Sequence, residues 1–308
     1  MPTRYVTCAF DGCHSFETNN ALSKFCKPCG CKRQNDLAER RKEATELFEE
    51  PQSYRVLPIS NLPDGYKIAI LNDTQIPFQD NKTLAAVERF LADFEPNLEI
   101  YNGDIIDFYT ISAFDQNPSR SFKLQDELDA GKRWLYGRAE ANPSARRILI
   151  EGNHEDRLRR WLWRHGPELS GLRALTPEAL LGLDEAKIER VNYRSIVDLH
   201  GFRIEHGYKT TGSTAYPTNV SRWMAIATGS SGLCGHTHRF SVYSWTDARG
   251  SHSYIENGAL CQLALEYAPF PNWQHAFTYG IIQKGKLHTI PVQIYDTGFV
   301  AEGEFYAR

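Results

Sequence analysis

No uninterrupted apolar stretch in this chain reaches membrane-spanning length, and the amino terminus MPTRYVTCAF has no basic region followed by an apolar run. Both absences point to a soluble, unexported, cytoplasmic protein. Strong charge of either sign is also missing. The formal net charge is -3, so composition gives no warrant for wholesale nucleic-acid binding and any electrostatic argument has to be local. No internal repeat or low-complexity tract appears, which excludes solenoid architectures. What is present is 308 residues, 41% hydrophobic and 24% charged, enough for one large core with a small appendage.

Cysteine is scarce in the body of the chain and crowded at its start. Of seven, Cys8, Cys13, Cys26, Cys29 and Cys31 come first and only Cys234 and Cys261 follow. Without a secretion signal, clustered thiols are better explained by a metal than by disulfides. Residues 1–34 hold the pairs Cys8/Cys13 and Cys26/Cys29 around a polar stretch too small to bury a core. A structural zinc on these four thiolates is the expected staple, with Cys31 and His14 as spare ligands and an unstructured thiol-rich tail as the alternative. Residues 35–65 read as a helical linker, because Leu37, Arg41, Ala44 and Leu47 form a narrow stripe among alternating charges until Pro51 ends it. The main domain is expected over 66–295 and a carboxy-terminal tail over 296–308.

From Tyr66 onward, short β-like runs end in polar motifs: KIAILND, LEIYNGD, RILIEGN, FRIEHG and GLCGHTH. Chemistry at strand ends is the mark of an α/β protein, in which rigid strands deliver side chains to one edge of a sheet. Lys82 to Phe94 and Leu124 to Ala141 read as helices covering that sheet. The later runs SVYSWTD, HSYIENG, FTYGIIQ and LHTIPVQIY read as antiparallel strands of a second sheet packed on the first.

Singly, none of these motifs decides anything. In order, they supply carboxylates, amides and imidazoles, the mixed oxygen and nitrogen set that Mn²⁺ and transition metals prefer over Ca²⁺. The series Asp73-Thr74-Gln75, Gly103-Asp104-Ile105-Ile106-Asp107, Gly152-Asn153-His154-Glu155, His206-Gly207 and Gly235-His236-Thr237-His238 resembles the calcineurin-like metallophosphoesterase superfamily across about residues 66–295. The resemblance implies an α/β (α+β) four-layer core, two facing mixed β-sheets flanked by helices, with two divalent metals at the strand ends. Asp104 would bridge the ions. Asp73, Gln75 and His238 would complete one shell, and Asn153, His206 and His236 the other. The implied reaction is attack by a metal-bridging hydroxide, with His154 as the acid that protonates the departing alkoxide and Asp107 orienting its imidazole.

One position departs from the superfamily pattern. Where DxH is usual, this chain has Gln75, whose neutral amide is a weaker donor than imidazole and tilts the first site toward Mn²⁺ or Mg²⁺ over Zn²⁺ or Fe. Direct ligation, a place behind the ligands with water in the gap, and a lapsed site all remain open.

After GNHE comes Asp156 to His165, basic and aromatic. Helical spacing gathers Leu158, Trp161, Leu162 and His165 on one face, so the tryptophans are expected in the core. Arg157, Arg159, Lys209 and Arg239 are candidate phosphate contacts. The segment Pro167 to Asp184 reads as a helical cap beside the site. That segment and the stretch Glu266 to Phe277 resemble phage-encoded superfamily members, and Lys24, Lys27, Lys32 and Arg33 around the second cysteine pair suit nucleic acid. A docking or dimerisation knob is the alternative for that module. The expected activity is therefore a phosphodiesterase or nuclease on nucleic acid or nucleotides. The alternatives are a phosphomonoesterase on a nucleotide or phosphoprotein, and a nucleic-acid-binding adaptor with a lapsed site.

Overall fold

The computed structural model describes residues 55–207, 219–264 and 271–308, with the backbone of 4–7 and 15–18. The chain divides into a unit over Met1–Ser53 and a larger one over Tyr54–Arg308. In the first, β1 (Arg4–Thr7) pairs antiparallel with β2 (Ser15–Thr18). The expected zinc ligands Cys8, Cys13, Cys26 and Cys29, the spares Cys31 and His14, and the helix expected before Pro51 lie outside the described residues.

The larger unit is built on two six-stranded sheets. In one, β4 (Lys67–Leu71), β5 (Leu98–Asn102), β6 (Arg146–Ile150) and β7 (Ile188–Val191) run parallel, and β13 (His275–Gln283) and β14 (Lys286–Ile294) extend it antiparallel beyond β4. The other has the order β11 (Phe240–Asp247), β12 (Gly250–Asn257), β10 (Gly232–Cys234), β9 (Phe202–Glu205), β8 (Ile196–Leu199), β3 (Val56–Ile59). Strand alternation explains how they stack. Ile68, Ile70, Leu98, Ile100, Ile148 and Ile150 of the first sheet meet Val197, Leu199, Ile204, Leu233 and Ile255 of the second in one buried layer. Ala69, Leu71, Tyr101 and Leu149 point the other way, under the helices.

Those helices are α1 (Asn81–Phe94) and α2 (Leu124–Ala141), each within a residue of its expected bounds. Asp80 caps α1 by accepting from Thr83 N at 2.9 Å, and Leu84, Val87, Phe90, Leu91 and Phe94 form its buried face. On the outer side of the second sheet, α5 (Val220–Thr228) seats Val220, Met224 and Ala225 against Cys234 and Tyr254. Helix, sheet, sheet, helix is the expected four-layer order.

Several boundaries differ from expectation. Strand β3 falls within the stretch read as linker, because a short apolar run after Pro51 pairs parallel with β8. The four late strands do not form one sheet: β11 and β12 join the second, whereas β13 and β14 extend the first. The run 296–308 is no tail. It forms the hairpin β15 (Gly298–Ala301) and β16 (Glu304–Ala307), whose Phe299 and Tyr306 lie 6.1 and 5.5 Å from the Phe90 ring. Each such buried aromatic contributes roughly 1.5–3 kcal/mol.

Helix α3 (Glu155–His165) buries Leu158 and Leu162, but Trp161 and Trp163 are 37% and 59% exposed, not core. The apolar stripe of α3 is one side chain wide, and the indoles flank it. The segment expected as a cap beside the site forms two 3-10 turns and α4 (Pro177–Leu181); Leu181 and Leu183 are buried in the layer that also holds Leu128 and Leu135 of α2.

Candidate metal centre

Every motif follows the carboxy-terminal end of a strand. The parallel register of β4, β5 and β6 brings Asp73, Asp104 and Asn153 to one edge, and parallel β9 and β10 bring His206 and His236 to the corresponding edge of the other sheet. Asp73, Gln75, Asp104, His236 and His238 all hold left-handed backbone, with φ of 51, 48, 52, 72 and 58°. Such a conformation costs a non-glycine residue roughly 1–2 kcal/mol, and strain of this kind collects where a site fixes side-chain direction against local preference. Two glycines make room: a Cβ at Gly152 would collide with Asp104 Oδ1, and one at Gly235 with Asp73 Oδ2.

The predicted ligands form two adjoining groups. In one, His206 Nε2 lies 3.1 Å from both Asp104 Oδ2 and Asn153 Oδ1. Asp104, His206 and His236 each offer a ligand atom within 4.8 Å of the others. His206 Nδ1 faces the Asn102 carbonyl at 2.9 Å and so donates to it, which turns Nε2 toward the centre as the nitrogen a metal would take in place of its proton. In the other group, His238 Nε2 lies 3.3 Å from Asp73 Oδ1 and 3.1 Å from the Gln75 amide nitrogen. A half-turn of that amide would present its oxygen at the same place. Behind His238, Nδ1 meets the Cys261 thiol at 3.7 Å, a weaker partner than the carbonyl behind His206. Asp73 Oδ2 accepts from the His236 backbone N–H at 2.9 Å, which ties the two groups together.

The electrostatics suit a cation. Burial would raise the Asp104 carboxyl, but His154, His206 and His236 outweigh it and hold it well below the usual range. Burial opposes charge on His206 too, yet Asp104 lifts it to about 9. Burial, then His206, drives His236 down to about 4, the neutral form a ligand needs. Among the described residues, Asp73 Oδ1, Asp107 Oδ2 and His236 Nδ1 are buried without a hydrogen bond, each at a cost of about 1–3 kcal/mol. Divalent cations at this centre would satisfy the orphaned atoms of Asp73 and His236, so the donor set fits metal binding.

Beside the centre, the His154 backbone N–H donates to Asp104 Oδ1 at 2.8 Å, and its Nδ1 lies 2.9 Å from the Asp107 carbonyl oxygen and 3.4 Å from Oδ2. Arg157 donates to the Asp107 carbonyl at 2.8 Å and Oδ1 at 3.0 Å, with its other terminal nitrogen 2.9 Å from His154 Nε2. Of the other candidate phosphate contacts, Arg159 pairs with Glu151 at 3.0 Å and with Asp156. Arg239 pairs with Glu256 at 3.2 Å, and Lys209 lies outside the described residues.

The model of the calcineurin-like phosphoesterase family matches residues 66–269. The chain belongs to that family. It is similar to the Gene 54 proteins of Mycobacterium phages D29 and L5, each 26% identical, over 236 and 226 residues, covering 68% of this chain and 87% of theirs. Among solved structures it is similar to vacuolar protein sorting 29 from Cryptosporidium parvum (12% identity, TM-score 0.44, 80% of this chain and 100% of that one). Another is a dimetal phosphatase from Danio rerio (12% identity, TM-score 0.38, 80% and 99%). Family and donor set together make this a metal-dependent phosphoesterase. No helix among its described residues is long and apolar enough to cross a membrane.

The phosphoesterase centre also rests on residues to which the sequence assigned no role. Glu155, buried at the start of α3, accepts from four backbone N–H groups: Asp104 at 3.0 Å, Ile105 at 2.8 Å, Ile106 at 3.1 Å and Gly152 at 2.7 Å. One carboxylate thus clamps two metal-motif loops together. Its place inside GNHE was the available signal. Asn72 donates to Asp73 Oδ2 and to the Gly258 carbonyl, while Thr278 holds Asn257 behind it; nothing local in the sequence marks that network.

Proposed function

We propose that this phosphoesterase is a two-metal phosphodiesterase or nuclease acting on nucleic acid or nucleotides. The observation that carries the reading is Asp104, whose two oxygens face different partners: Oδ2 the His206 nitrogen, Oδ1 the amide that sets His154. Asp73, Gln75, Asp104 and His238 would hold one ion, and Asp104, Asn153, His206 and His236 the other, with manganese the preferred metal. Bound there, two divalent ions supply an activated water at neutral pH and offset charge on the phosphoryl oxygens. The residues do the rest. Asp107 fixes the Nδ1–H of His154, so its Nε2 faces the centre and can carry a proton to the leaving oxygen. Arg157 holds Asp107 and donates to the same Nε2, which is therefore an acceptor in this structure; a substrate phosphate that draws the guanidinium away would free Nε2 to carry the proton.

Turnover of a bis-aryl and a mono-aryl phosphate with Mn²⁺, controlled by His236→Ala, tests this. Preference for the diester is expected; turnover confined to the monoester would make the protein a phosphomonoesterase, and no metal-dependent turnover would leave an adaptor. His154→Ala is expected to slow diesters with alkyl leaving groups about a hundredfold, the lower range for a general acid, and to spare activated aryl esters; equal losses on both would remove the acid role. Gln75→His is expected to tighten Mn²⁺ binding about tenfold by calorimetric titration. An unchanged isotherm would place Gln75 behind the ligands.

A further inference from the structure

Helix α3 leads away from the centre. Its first residue follows His154, and Arg157, Trp161, Arg164 and His165 recur at helical spacing along one flank, beside the buried Leu158 and Leu162. From Arg157 to His165 that flank runs about 12 Å. The indole of Trp161 stacks on the imidazole of His165, with ring centroids 4.7 Å apart and planes 26° apart, and His165 Nδ1 donates to the Trp161 carbonyl at 2.9 Å. A large ring pair is thus held in place at the surface, where an apolar ring is costly to leave. Charge is sorted the same way. The two acids of the helix, Glu155 and Asp156, are buried, whereas Arg164 and His165 are exposed and Arg157 and Arg160 reach solvent in part.

We infer that this flank carries a single-stranded polynucleotide out of the metal centre, one base stacking on the Trp161 and His165 pair and a neighbouring phosphate meeting Arg164. Exposed rings interleaved with arginines are what unpaired bases on a charged backbone recognise, whereas a duplex keeps its base faces covered. The inference rests on the nucleic-acid diesterase reading and names the form of that substrate.

The test compares kcat/KM of the full chain on an oligothymidylate and on bis(p-nitrophenyl) phosphate, a small diester with no neighbouring nucleotides to lie along the flank. Trp161→Ala is expected to lose about tenfold on the oligonucleotide, the scale of one lost base stack, and to stay unchanged on the small diester. Trp161→Tyr should recover most of the loss, since it restores a ring face. Arg164→Ala should weaken oligonucleotide binding and reduce its salt slope by about one. Equal losses on both substrates, no loss on the oligonucleotide, or the same loss on a phosphopeptide would overturn the inference and leave the diesterase reading standing. Cleavage of the small diester with none of any oligonucleotide by the unaltered chain would overturn the nucleic-acid reading and this inference together.

Discussion

Asp104→Asn is expected to lower metal-dependent turnover by at least about a thousandfold, the scale on which loss of a preorganised electrostatic element slows group transfer. The substitution is nearly isosteric, so the fold should persist. Its effect comes from charge. Asp104 lies 3.1 Å from His206 Nε2 and accepts the His154 backbone N–H at 2.8 Å, so it serves the ligand group and the acid at once. It is also what lifts His206 to about 9 against the effect of burial. Asparagine would present an amide NH₂ to one side or the other and could not compensate two cations. Calorimetry should show loss of high-affinity binding of Mn²⁺ and circular dichroism an unaltered spectrum. Full binding with full activity would remove Asp104 from the centre.

The parts of the centre that were legible in the sequence are those whose chemistry is local. A strand end followed by glycine and a carboxylate or imidazole can be read without knowing what lies opposite, which is why Asp73, Asp104, His206, His236 and His238 stand out as candidates in the sequence; the fold brings them together. The four-layer order was legible for the same reason: KIAIL and RRILI are strands buried on both faces and need cover on each side. What was not legible depends on distant partners. Nothing near Asn257 reveals that it donates to the Ile70 carbonyl and accepts from Thr278. The assignment of β13 beside β4 was equally hidden, because an antiparallel run carries no mark of which sheet edge it will extend. The tryptophans of α3 misled for a related reason. Helical periodicity says which residues share a face, but not how wide a stripe the sheet beneath will cover.

Glu155→Ala is expected to be the most destabilising single change at the centre, by about 4 kcal/mol, although Glu155 binds no metal in this scheme. Removing the carboxylate leaves the N–H groups of Asp104, Ile105, Ile106 and Gly152 without their acceptor, and an unsatisfied buried donor costs about 1–3 kcal/mol. The four do not simply add. Water can enter the vacated volume, and an opposing effect is relieved, since burial and then the Asp104 charge push Glu155 up to about 7. Its ionised form is therefore held against repulsion that alanine would remove. Four donors against one repulsion leave a large net loss. Glu155→Gln separates these contributions: it keeps one acceptor oxygen and removes the charge, but turns an NH₂ toward N–H groups, so about half the alanine loss is expected. Urea midpoints for both variants, with and without Mn²⁺, check this. Metal should restore less stability to Glu155→Ala than to the unaltered chain, because the Asp104 and Gly152 loops would no longer be held in register; an alanine variant with an unchanged midpoint would show that the four amides find other partners and that the clamp is dispensable.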